Sequence, residues 1–169
     1  MATLFAVYRD HAHAERAVAE LMRLGVDQRR LSLFLTEEVS GLIPKVRPAV
    51  PEGAVAGGAL GALLAGIGGI ATLALPGLGL VVAGPLAVAL ESAVVGAVGG
   101  GFAGALIGIG VPENQAKRYA ESLLEHGVIV AASPATPDEA QLIEAVFEDT
   151  RGVDLVRAQH PGQSVSVSL

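Results

Sequence analysis

Between Gly53 and Val111 the chain runs 59 residues with a single charge, Glu91, and places 17 of its 22 glycines there. Those glycines are ordered. Gly53, Gly57 and Gly61 continue through Ala65 to Gly69, and Gly96, Gly100, Gly104 and Gly108 form a second row. Small residues at every fourth position share one side of a helix and leave a bare strip where another backbone can come close. Each glycine costs about 1 kcal/mol relative to alanine in a water-exposed helix. Helices this rich in glycine therefore need close packing, or a medium in which the backbone must satisfy itself. The spacing predicts a helical hairpin, Gly53–Leu75 and Leu86–Gly110, broken by Pro76, Gly77, Gly79, Gly84 and Pro85.

The segments hold 23 and 25 residues, and a membrane-spanning helix needs about 20. Two crossings of a lipid bilayer are the expected arrangement. Each four-residue step turns the strip by about 40°, so paired helices should cross rather than run parallel. Two strips on one hairpin also point to a homo-oligomer, the chain being its own partner. Other features pull the opposite way. Neither segment is flanked by Trp or Tyr, and Lys45, Arg47, Lys117 and Arg118 are offset by the closer Glu52 and Glu113. The alternative is a soluble, self-assembling shell or scaffold with the glycine-rich helices packed inside.

Outside this run lie 27 of the 28 charged residues. The remainder has the make-up of a small acidic domain. A net charge of −6 with no Lys/Arg-rich patch argues against a nucleic-acid partner. The absence of cysteine removes disulfides, thiolate catalysis and thiolate metal sites. The opening residues, MATLFAVYRDHAHAE, lack a basic stretch followed by an apolar core, so no secretory signal is expected.

Alternation and caps outline an α+β domain. Thr3–Tyr8 reads as a strand. Asp10 caps a helix with Ala14, Val18, Leu21 and Met22 on one face and Gly25 at its end, and Leu31–Leu35 is a second strand. Pro112 and Glu113 open a helix with Ala116, Ala120, Leu123 and Leu124 inward, stopped by Gly127. Val128–Ala132 is a strand with the look of a buried one. Thr136 and Glu139 form a capping box for a helix that buries Ile143, Val146 and Phe147 and ends at Gly152; Val153–Arg157 is the last strand. The expected organisation is a first β-α-β half over 1–35, a Pro-containing connector over 36–52, and the apolar hairpin over 53–111. A helix plus a second β-α-β half follows over 112–158, with a tail over 159–169. Two such halves fit a ferredoxin-like sandwich, four antiparallel strands with helices on one face, interrupted by the glycine-zipper hairpin.

Few residues invite chemistry. At mid-bilayer, Glu91 would cost on the order of 3 kcal/mol, and intramembrane acids often mark ion paths. It lies only about one and a half turns from Pro85, so an acid near the interface, bonded to Ser92 or to a neighbouring chain, is the plainer reading. His11 and His13 are weak candidates for a metal. A His-x-His pair shares a face on a strand but splays on a helix, and these two begin a helix. The Gly-rich clusters do not follow a strand into an amphipathic helix, and no phosphate-binding loop, nucleophile elbow or HExxH pattern occurs. No enzyme activity and no cofactor are expected. A small-molecule ligand stays open, on fold analogy alone.

The stretch GVPENQAKRYAESLLEHGVIVAASPATPDEAQLIEAVFEDTRGVDL, with Gly110, Pro112, Glu113, Ala116, Tyr119, Gly127 and Val128–Val130 at the recurring positions, resembles a bacterial general-stress (heat-induced stress) protein family of glycine-zipper proteins. The opening unit around AERAVAELMRLGV is similar as well, so the resemblance covers most of residues 1–158. It implies a stress-associated, membrane-linked bacterial protein; with the apolar hairpin and the flanking charges, the expected place is the inner membrane with the polar domain in the cytoplasm. It brings no catalytic residues to carry over.

Overall fold

The computed structural model describes residues 2–36, 72–75, 80–87, 101–125 and 127–159. They form an α+β domain on one antiparallel sheet. Its strands are β1 (Ala2–Tyr8), β2 (Leu31–Thr36), β3 (Thr72–Leu75), β4 (Leu80–Ala83), β5 (Val128–Ala132) and β6 (Val153–Gln159). The helices are α1 (His11–Arg23), α2 (Gly101–Gly108), α3 (Glu113–Leu124) and α4 (Pro137–Asp149), and a 3-10 turn at Gln28–Arg30 leads into β2. The strand order is β3-β4-β2-β5-β1-β6. β1 pairs with β5 (Phe5 opposite Ala131), β2 with β5 (Leu33 opposite Val130) and β2 with β4 (Phe34 opposite Val82), all antiparallel.

Alternation along the strands divides the core into two. Leu4, Ala6 and Tyr8 of β1, Leu31, Leu33 and Leu35 of β2, and Val128, Val130 and Ala132 of β5 face α1 and α4. Those helices return Ala14, Ala17, Val18 and Leu21, and Ile143, Val146 and Phe147. Phe5, Val7, Phe34, Ile129 and Ala131 point the other way, onto α2 and α3 through Phe102, Ala105, Leu106, Ala116, Tyr119 and Leu123. Each large side chain taken fully out of water contributes about 1.5–3 kcal/mol. Both faces are thus apolar cores, and every residue of β5 is buried.

Two expectations are corrected here. The sheet is larger than four strands, and helices cover both of its faces. The apolar run also is not helical where described before residue 85: Thr72–Leu75 and Leu80–Ala83 are paired strands, with Leu75 opposite Leu80. The reason is local as well as tertiary. In the sequence TLAL-PGLG-LVVA a Pro-Gly pair, a turn signal, separates two short apolar runs, and Val81 and Val82 are β-branched. Pairing with β2 then satisfies β4 on both edges. The connector 36–52 beyond Thr36 and the tail from His160 lie outside the described residues.

The caps behave as the composition requires. Asp10 accepts from the Ala12 amide at 2.8 Å, and Thr136 accepts from the Glu139 amide at 3.1 Å. Glycines at positive φ end α1 at Gly25 and α2 at Gly110, where the next amide reaches back to Leu21 and Leu106. On the outer strand, β1 and β6 slip register between Phe5 and Val7, which face Val156 and Val153. The extra residue sits in β6, where Asp154 takes a positive φ of 52°. This bulge holds α3: Tyr119 donates its hydroxyl to the Asp154 carbonyl, and Arg118 Nη1 lies 3.1 Å from Asp154 Oδ1. Burial, and then the Asp154 charge, push the Tyr119 phenol above its ordinary pKa.

Gly84 is where β4 can come close to β2. Its φ is +104°, and an added Cβ would meet the Leu31 carbonyl oxygen and lie 2.7 Å from Ser32 Cα. Gly25 has a similar φ of +88° but open space around it. Gly25→Ala should cost about 1–2 kcal/mol, the dihedral penalty alone. Gly84→Ala should cost about 2–4 kcal/mol, because overpacking is added. Urea unfolding of the two variants checks this; equal losses would mean that β4 does not press on β2 as described.

Candidate functional site

The described part of the second glycine row lies on α2. This helix buries Phe102, Ala105, Leu106 and Ile109 against the sheet. Gly104 is half-buried, Gly108 is exposed, and the intervening Ile107 is 43% exposed. Gly108 and Ile107 therefore lie on the side of α2 turned away from the core, with Gly104 at its border. Gly53, Gly57, Gly61, Ala65, Gly69, Gly96, Gly100 and Glu91 lie outside the described residues. No helix among the described residues is long and apolar enough to cross a membrane.

His11 and His13 do converge, on one carboxylate. Their Nδ1 atoms lie 3.6 and 3.5 Å from the two oxygens of Asp10, the α1 cap. The Ala12 amide, helped by the two imidazoles, holds the Asp10 carboxyl below its usual pKa. Among the described residues no group of three or more His, Cys, Asp or Glu side chains is placed to hold a metal. The geometry gives the histidines a role at the helix cap.

One groove was not legible as a site. It has a volume of about 570 Å³ and is lined by His13, Arg16, Glu20 and Arg23 along one side of α1. Asp149, Thr150 and Arg151 just after α4 complete it. The three- and four-residue spacing of the α1 members was the available signal, but nothing in the sequence says which segment faces them. Beneath it, Thr150 Oγ1 and the Tyr8 hydroxyl are 2.9 Å apart in the buried core. Burial raises the Tyr8 phenol to about 12, so both hydroxyls are neutral and structural.

The clearest polar feature with a structural role is a latch. Arg30 donates to both Glu139 oxygens, at 2.6 and 2.7 Å, and joins the start of β2 to the first turn of α4. Glu139 also accepts from the Ala135 amide at 2.5 Å, so a single carboxylate completes both the latch and the cap. The Arg30 hydrogen bonds hold the Glu139 carboxyl below its ordinary pKa. No known protein family, no curated protein and no solved structure matches the chain.

A folded-state pKa below the unfolded one adds stability that is complete above the carboxylate range and is lost as pH falls through the folded value. Glu139→Gln should therefore lower unfolding free energy by about 1–3 kcal/mol at neutral pH. The gap between variant and parent should close in acid, as the parent's own carboxylate is protonated. Denaturant unfolding across that pH range is the check, and a gap that persists in acid would remove the charge from the account.

Proposed function

We propose that this chain is a non-enzymatic structural protein that assembles with copies of itself through its glycine-rich segments. Its polar part is a ferredoxin-like sandwich. In support of that fold, the order β6-β1-β5-β2 with α1 and α4 on one face is the arrangement two β-α-β halves adopt. The observation that supports the assembly reading is the side of α2 that the described residues leave open: Ile107 and Gly108 are exposed and Gly104 half-buried, while Phe102, Ala105, Leu106 and Ile109 fill the core. A bare strip beside an exposed aliphatic side chain is what close helix approach requires. The proposed setting is bacterial stress adaptation, on the resemblance of the chain to glycine-zipper stress proteins. The proposed role is scaffolding in the cytoplasm.

Anchoring by a membrane hairpin is the second reading, favoured by the apolar stretch 53–71, whose length is close to the about 20 residues of one crossing. The pairing of β4 with β2 weighs against it. A hairpin would carry its turn across about 30 Å of hydrocarbon, away from the sheet in which residues 80–83 are paired. Residues 88–100, even as a continuous helix, would reach only about 20 Å before α2 rejoins the core.

Size exclusion with light scattering on the full chain, without detergent, tests the two. Large particles are expected. Ile107→Glu, at an exposed position, should reduce their mass at least severalfold while leaving the unfolding transition in place. A monomer at all concentrations would sink self-assembly, and resistance to carbonate extraction would favour the membrane hairpin.

A further inference from the structure

The groove between α1 and the end of α4 brings two unpaired arginines together. Among the described residues, Arg23, Arg29, Arg30, Arg118, Arg157 and Lys117 are each within ion-pair distance of a carboxylate. Arg9, Arg16 and Arg151 have no such carboxylate among the described residues, and the last two line the groove. Of its two acids, Glu20 is taken up by a two-point pair with Arg23, which leaves Asp149 against two free guanidinium groups and His13. In a chain of net charge −6 this is a local excess of positive charge.

A second observation concerns Arg151. It occupies the left-handed position after α4, at φ +65°, where the same chain uses Gly25 and Gly110 after α1 and α2. An arginine there works against backbone preference, and such outliers gather where a side chain is needed. Its backbone still completes the helix end, with the Gly152 amide 2.7 Å from the Phe147 carbonyl.

We propose that this groove binds a phosphate monoester or diester, gripped between Arg16 and Arg151 with His13 and Arg23 at its margin. Guanidinium forks match phosphate oxygens two at a time. The only wholly apolar side chain in the lining is Ala19, and no Phe, Tyr or Trp is present, so the organic part of the ligand is small and polar. A free phosphate ester and the headgroup of an anionic phospholipid share this chemistry. The inference does not depend on self-assembly.

The test follows the arginine Nε–Hε resonances of the full chain during titration with glycerol 3-phosphate, and separately with bicelles containing phosphatidylglycerol or phosphatidylcholine alone. Saturable shifts at Arg16 and Arg151 are expected, with no equivalent response to sodium chloride at matched ionic strength. A response to the free ester identifies a soluble ligand; a response to phosphatidylglycerol bicelles alone identifies a headgroup. Arg151→Gly suits the backbone, so it should keep or raise Tm while weakening binding about tenfold or more; Arg16→Gln should weaken it comparably. No shift with either source, shifts reproduced by chloride, or affinity unchanged in both variants would overturn the proposal.

Discussion

Two-sided burial of the sheet governs this structure. An antiparallel sheet can leave one face to water, and its strands then alternate apolar and polar residues. Here β5 reads VIVAA and is buried throughout, and β1 and β2 are apolar on both sides. Such strands are stable only between two helical layers. α1 and α4 form one, and α2 and α3 the other. The end of the apolar run is therefore part of the fold: Phe102 packs on Phe34 with ring centres 5.8 Å apart and planes tilted by 60°, Phe34 meets Phe5, and Phe5 meets Tyr119.

This changes what the glycine-rich middle can be. Its strands β3 and β4 extend the sheet, and the close approach at Gly84 ties them to β2. Ser32, buried in β2, accepts the Leu86 amide at 3.2 Å, so the polar groups at this junction are matched. The run is bound to the domain at several points along its length. On α2, Gly108 lies on the outer side, while Phe102, Ala105, Leu106 and Ile109 hold the helix to the sheet.

The domain's polar contacts divide by purpose. Caps at Asp10 and Thr136 close the starts of their own helices, and the Arg30–Glu139 latch and the Tyr119–Asp154 bond fix one element against another. The groove beside α1 is different, since its arginines at 16 and 151 serve no such contact among the described residues. The exposed Ile107 on α2 and the arginine-lined groove beside α1 thus lie on opposite sides of the sheet.

Local signals fixed much of the domain in advance. Asp10, Thr136 with Glu139, Pro112 and the glycines after each helix act within a few residues, so the strands and helices outside the apolar run could be read directly. The inward faces of α1 and α4 followed from their periodicity, and Val128–Ala132 carried the mark of a strand buried on both sides. Hydrophobicity without charge does not specify its surroundings, however. TLALPGLGLVVA suits a greasy turn or a β-hairpin, and only the free edge of β2 selects the hairpin. The meeting of Arg16 with Arg151, 135 positions along the chain, was likewise set by packing. Short-range chemistry wrote the elements. Partners distant in sequence decided which apolar segments became sheet, which side of α2 stayed outside, and where positive charge collected.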